Sequence, residues 1–278
     1  MTFVSRAKAV AQAIRQSISD ANAAAAPNWP TPDRDADRRL LWVILVCALA
    51  LLVQHYLVVD MGAGLPTLLW VLGFEQPARD LYQYFAAADG GSFRLLLWWA
   101  AGTVVCFLVA PAVCIVATGG RLSEFGLRAG HGRDRVVYLA LLAFMLPLIV
   151  LGAALIPGLA DYYPFYKPPA GEALWPRFAV FEGAYLVQFI AIEFFFRGVL
   201  IHAAKHRFGA WAIVLPLIPY VMLHFGKPPA EATGALIAGV VLGFLSLRTG
   251  SIVFGVLLHA GVALAMDLTA LTIRGQLF

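Results

Sequence analysis

Long apolar runs alternate along this chain with short polar breaks rich in glycine and proline. A helix needs roughly 20 apolar residues to cross the hydrocarbon core of a bilayer. Seven segments approach that length, at 40–59, 93–118, 136–156, 175–203, 209–224, 232–247 and 252–273. The fifth and sixth are the shortest. A further apolar piece, 65–74, is too brief to cross and reads as interfacial or re-entrant, with Gly62, Gly64 and Pro66 in or beside it. The runs are continuous rather than alternating, which excludes a closed β-barrel. The pattern therefore predicts an all-α, polytopic transmembrane helix bundle of about seven spans. Gly234, Gly239 and Gly243 in the sixth run suit close helix–helix approach in a membrane.

The first residues follow a different rhythm. Phe3, Ala7, Val10, Ile14 and Ile18 recur at three- and four-residue steps, with Arg6, Lys8, Arg15 and Asp20 elsewhere. This predicts a short amphipathic helix, either on a membrane face or against the bundle. No uninterrupted apolar stretch follows the early basic residues, so a cleavable signal peptide is not expected. Ala23 to Arg39, with three prolines and alternating Asp and Arg, reads as a linker. The organisation expected is thus a cytoplasmic helix and linker at 1–39, N-terminal transmembrane helices at 40–118, and a core of helices at 119–278.

Composition agrees with the pattern. Of 278 residues 61% are hydrophobic and 13% charged, and the mean hydropathy is +0.80. Soluble domains carry about a quarter charged residues, so this is an integral membrane protein. The net charge of +4 comes from loops on one side and reports topology, not nucleic-acid binding. Arg34, Arg38 and Arg39 precede the first run, Arg121, Arg128, Arg133 and Arg135 the third, and Lys205 and Arg207 the fifth. By the positive-inside rule the N-terminus is expected in the cytoplasm. Cys47, Cys106 and Cys114 lie in apolar runs without metal-ligand spacing and read as small buried hydrophobes.

The candidate chemistry lies inside the runs. Glu193 and Arg197 stand four residues apart, so they share a helix face deep in the fourth span. Ionisable groups at that depth are expensive and mark functional sites by default. Glu182 lies close to three turns earlier and points roughly the same way. His224 closes the fifth span and His259 sits about two turns into the seventh. A carboxylate and a histidine can hold and deprotonate a water, and a second histidine can assist the oxyanion. A structural ion pair between helices is the plainer alternative. A zinc site of two histidines and one carboxylate ranks below metal-free catalysis, because no HExxH spacing occurs. No cofactor is expected.

These residues resemble the CPBP family of CaaX proteases and bacteriocin-processing intramembrane endopeptidases. Members of that family look like a helical core carrying Glu-Glu-x-x-x-Arg, then Phe-x-x-x-His, then His-x-x-x-Asn or Asp. Here Glu193 and Arg197, Tyr220 and His224, and His259 fall in that order. The segments from Gly120 to Arg128, His224 to Glu231, and Thr249 to Ile252 are also similar to it, so the likeness runs from about Gly120 to Leu268. The chain departs at Ile192, where the first Glu would stand, at Tyr220 for the aromatic, and at Ala263 for the Asn or Asp. Asp267 follows one turn later, about 6 Å along the axis, too far to replace Ala263 directly.

The resemblance implies an intramembrane endopeptidase of glutamic type, cutting a membrane-associated peptide or protein. Its catalytic residues would be Glu193, His224 and His259, supported by Arg197, Tyr220 and Glu182. Glu193 would take the base's place if the helix is rotated by about 100°. The second reading is a catalytically silent relative that binds a peptide or lipidated tail, as a scaffold or bacteriocin-immunity factor. Expected partners are the lipid bilayer and a membrane-anchored substrate, with no nucleic acid. A bacterial inner membrane is the expected location.

Overall fold

A computed structural model describes residues 3–25, 34–60, 64–87, 91–130, 134–169 and 171–277. These are helical almost throughout. Six helical stretches among them are long and apolar enough to cross a membrane: Arg34–Val59, Ser92–Ala117, Arg135–Leu155, Arg177–Met222, Pro229–Thr249 and Val253–Ile273. The fourth is 46 residues long. Straight, it would extend about 69 Å, more than twice the hydrocarbon thickness. It is not straight. At Gly209 the backbone turns to φ 53° and ψ −129°, and Arg197 lies over the ring of Tyr220, 3.8 Å from its centroid. The stretch therefore doubles back, and its two legs are the fourth and fifth runs of the sequence.

Among the described residues thirteen α-helices can be numbered in chain order. They are α1 (Phe3–Ala25), α2 (Arg34–Val53), α3 (Gly64–Val71), α4 (Glu75–Ala86), α5 (Gly91–Val104), α6 (Ala110–Ala117) and α7 (Arg135–Leu155). After them come α8 (Leu159–Tyr162), α9 (Arg177–Glu193), α10 (Leu200–Phe208), α11 (Val214–Met222), α12 (Pro229–Thr249) and α13 (Val253–Ile273). Single π-helical turns continue three of them, at Gln54–Val59, Val105–Val109 and Phe194–Val199.

The stretch containing α9 is the centre of the bundle. In its most apolar window 72% of residues are buried, against 17–39% in the other five spans. The π-helical turn after α9 is buried at every residue, and Phe194, Phe195 and Phe196 are each 0% exposed. Around it α5 and α13 pack on α9, and α7 packs on α13. The outer spans turn their remaining apolar side chains outward, as a lipid-facing surface requires.

The reading of 23–39 as linker needs correction at both ends. Helix α1 continues to Ala25 and α2 begins at Arg34; residues 26–33 lie outside the described set. Asp35 and Asp37 occupy the first turn of α2, where carboxylates complement the helix dipole. Asp37 is also gripped by Arg207 and, at 3.1 Å, by His206. Sequence periodicity missed α4, whose exposed face carries the pairs Glu75–Arg79 and Gln76–Asp80. The apolar piece at 65–74 is the short helix α3, with Gly62 outside the described residues. Of the two positions open to the N-terminal helix, α1 lies against the bundle. The Asn22 side chain accepts a hydrogen bond from the Ala210 N–H at 2.9 Å, beside the Gly209 turn. The side chains of Phe3, Arg6, Ala7 and Val10 lie outside the described set.

Candidate functional site

Helix α9 ends on Glu193, and the wider π-helical turn that follows carries Arg197. Such turns leave carbonyls out of the regular ladder and recur at functional sites. The Arg197 carbonyl accepts a hydrogen bond from Ser246 of α12 at 2.9 Å. Ser246 in turn meets His202 Nε2 at 3.1 Å. Gly198 lets the chain pass this point, because a Cβ there would lie 2.5 Å from the Phe125 carbonyl oxygen. The loop of Phe125 is itself pinned to the α12–α13 junction. Arg128 donates to the Thr249 carbonyl at 2.9 Å, and Ser251 Oγ donates to the Arg128 carbonyl at 2.7 Å.

Glu193 and Arg197 are each 1% exposed. Glu193 Oε1 lies 3.3 Å from Arg197 Nη1 and accepts a hydrogen bond from His259 Nδ1 at 2.8 Å. One carboxylate oxygen thus joins a guanidinium on its own helix to an imidazole on α13. Gly255, one turn before His259, makes the approach possible: a Cβ there would stand 3.3 Å from Glu193 Oε2. The other face of the guanidinium is covered by Tyr220, an arrangement that retains attraction for a cation in an apolar site. Phe189 packs on His259 with ring centroids 4.5 Å apart.

His224 lies just past the end of α11. Its Nδ1 is 2.9 Å from the Tyr220 carbonyl oxygen, and its ring packs against Tyr220 at 4.9 Å. It does not meet Glu193. The two histidines come together instead at a cavity of about 330 Å³, whose walls include His224, His259, Gln188, Ile192, Gln54 and Lys227. Such a volume lies within the range of ligand sites. From α9 the walls include Tyr185, Gln188, Phe189 and Ile192, and not Glu193, which stands behind His259. Ile192, which stands where the sequence comparison expected a first Glu, therefore faces the cavity.

Glu182 does not join this group. It lies near Asp267 of α13; both residues are buried, at 7% and 0% exposure, and no carboxylate oxygen of either has a hydrogen-bond partner among the described residues. The shared face predicted for Glu182, Glu193 and Arg197 thus divides into two separate polar contacts about 16 Å apart along α9. Ala263 packs in an aromatic cluster with Tyr166, Phe181 and Tyr185. Near the cavity rim, Tyr163 donates to Glu231 at 2.6 Å, and Lys227 reaches the same carboxylate oxygen at 2.7 Å. Burial holds the Tyr163 phenol well above its usual range, so it remains a donor.

Sequence reasoning missed Gln188 and Gln54. Gln188 is 0% exposed, and neither atom of its amide has a hydrogen-bond partner among the described residues. Gln54 donates to Thr103 at 2.9 Å and leaves its Oε1 unpaired. Gln188 lies one turn before Ile192, so it falls on the same helix face, a spacing visible in the sequence. Which way that face pointed was not. Among the described residues no three His, Cys, Asp or Glu side chains gather as a metal site.

Fold and site define an integral membrane helix bundle in which an ion pair and an imidazole back the wall of an interior cavity. Among protein families, residues 174–265 match the model described as Type II CAAX prenyl endopeptidase Rce1-like. This match supports membership of the CPBP family and a CAAX-type intramembrane protease kind of function. Ile192, Glu193, Arg197, Tyr220, His224, His259 and Ala263 all fall inside it. Neither a curated protein nor a solved structure matches the chain.

Proposed function

We propose that this chain is an intramembrane endopeptidase that hydrolyses a peptide bond of a membrane-anchored peptide or protein with a histidine-held water. The observation that carries the reading is the 2.8 Å bond between His259 Nδ1 and Glu193, at a cavity that His224 also lines. Donation of Nδ1–H to the carboxylate assigns the neutral tautomer with its lone pair on Nε2. His259 is the base, and Glu193 is its positioning residue. His224, whose Nδ1–H is directed to the Tyr220 carbonyl, offers its own Nε2 as a second acceptor to hold the water.

In this scheme the water oxygen attacks the scissile carbonyl carbon while His259 Nε2 takes one water proton. The carbonyl oxygen gathers the charge, and the unpaired Gln188 amide is a donor suited to receive it. Collapse of the tetrahedral intermediate breaks the C–N bond, and His259 returns its proton to the leaving amine. Glu193, held 3.3 Å from Arg197, lies beside the imidazolium that forms and serves as its counter-charge. No metal is assigned a role. The basic loops support a cytoplasmic N-terminus, and a bacterial inner membrane is the location that goes with this reading.

The family description names CAAX prenyl substrates, so the first probes are a farnesylated CaaX peptide and a library of membrane-anchored peptides. Purified protein in liposomes is expected to cleave one of them. His259→Ala and His224→Ala should each lower kcat by about 10²–10⁴-fold in protein that remains folded. Cleavage by His259→Ala at the wild-type rate would overturn the assignment. Failure of the wild type on every probe, together with binding of the peptide, would favour a silent binding protein.

A further inference from the structure

A second cavity shares no residue with the first. It measures about 840 Å³ and is almost wholly apolar, between α1, the start of α7, α11 and the end of α12. Ile14, Ile18, Trp211, Val214, Leu217 and Phe244 are among its walls. Several of these open outward: Ile14 is 39% exposed and Trp211 70%. Helix α1 forms one wall because the Asn22–Ala210 bond holds it there.

At one end this groove runs into a polar cavity of about 460 Å³ that contains Ser17, Asp20, Lys205, His206 and Arg248. Ile18, Ala210, Phe244 and Arg248 border both spaces, so the two are continuous. Arg248 is exposed at the junction, and no hydrogen bond or ion pair among the described residues engages its guanidinium. Lys205 points one N–H toward His202 at 3.0 Å and keeps two for another acceptor. His206 is bound to Asp37. Lys205 and Arg248 carry two positive charges and Asp20 one negative, which leaves one positive charge unbalanced at the mouth of an apolar groove.

We infer that this composite site binds one anionic glycerophospholipid, with its phosphodiester on Arg248 and Lys205 and an acyl chain in the groove beside Trp211. The charge left over matches a headgroup of net charge −1, as in phosphatidylglycerol, and not the neutral headgroup of phosphatidylcholine. Basic pockets between transmembrane helices select anionic lipids in this way. The site stands apart from the proposed catalytic cavity and does not depend on that reading.

The test uses the full chain in phosphatidylcholine nanodiscs doped with acyl-brominated phosphatidylglycerol or acyl-brominated phosphatidylcholine. The signal is tryptophan quenching, and the contribution of Trp211 is the difference between wild type and Trp211→Phe. Brominated phosphatidylglycerol should quench that component at a mole fraction lower by roughly fivefold per basic contact. The preference should fall in Arg248→Gln and vanish in Arg248→Gln with Lys205→Gln. Equal quenching by the two lipids would mean an unselective lipid annulus and would overturn the proposal. So would an undiminished preference in the double variant. Native mass spectrometry of the wild type gives an independent reading if a variant does not fold.

Discussion

Replacing Glu193 by Gln removes one negative charge from a position that is 1% exposed and leaves the shape almost unchanged. The Gln carbonyl can still accept from His259 Nδ1. What changes is the environment of Arg197, whose side chain is 2% exposed and whose terminal nitrogens have no other well-placed acceptor among the described residues. Breaking a buried pair from one side costs about 3–5 kcal/mol, because the remaining charge is left without compensation. The Tyr220 ring, 3.8 Å from the guanidinium, retains roughly 2 kcal/mol of cation–π attraction and argues for the lower end. At about 2 °C per kcal/mol for a chain of this size, the unfolding temperature should fall by roughly 6 °C. Arg197→Met in the Glu193→Gln background removes the second charge as well and should recover most of the loss. The assay is thermal unfolding in detergent for wild type, both single variants and the double, read as a coupling energy. A Glu193→Gln protein within about 1 kcal/mol of wild type would refute the claim that this pair is a buried, mutually dependent unit.

Other expectations follow from the same geometry. Ile192→Glu places a carboxylate on the cavity wall beside both histidines and should raise the cleavage rate tenfold or more, within the 10²–10⁴-fold span of general-base catalysis. An unchanged rate, measured on the same peptide, would mean that the cavity is not where water is activated. Gly198→Ala brings a Cβ to 2.5 Å from a backbone carbonyl that cannot move aside, and should cost about 3 kcal/mol. Gly183→Ala on the same helix meets nothing within 4 Å, and should be neutral or stabilising by up to about 1 kcal/mol; equal unfolding temperatures for the two would contradict the packing. Tyr163→Phe removes a 2.6 Å bond to Glu231, and should cost roughly 1.5–3 kcal/mol by thermal unfolding.

Much of the bundle is legible in the chain because run length reports on bilayer thickness. Apolar runs of about 20 residues have one stable destination in lipid, and each run from 40 to 273 is a helix in the structure. The two legs at 175–203 and 209–224 can be told apart because Gly209 and the basic residues before it interrupt the pattern. Helix α4 escaped notice for the opposite reason. Its apolar residues are too few to stand out beside the spans, although Phe85 is buried at 7% exposure.

The site was legible as a set of residue types and not as an arrangement. Charges inside apolar runs identify Glu182, Glu193 and Arg197 as costly groups that need partners. A single helix's spacing pairs Glu193 with Arg197 correctly, because both lie on one element. It also groups Glu182 with them, and there it fails, since Asp267 arrives from α13.

What the sequence determined by itself is therefore the class: a polytopic helical membrane protein with ionisable groups and two histidines in its interior, ordered as in the CPBP family. These features are written in local periodicity and in the high cost of burying charge in lipid. Only the tertiary structure decided that Ile192, and not Glu193, faces the cavity, that Glu193 reaches His259 past Gly255, and that Gln188 shares the wall with both histidines. Those facts depend on the rotation of α9 against α11 and α13, which is set by side-chain packing among helices distant in the chain.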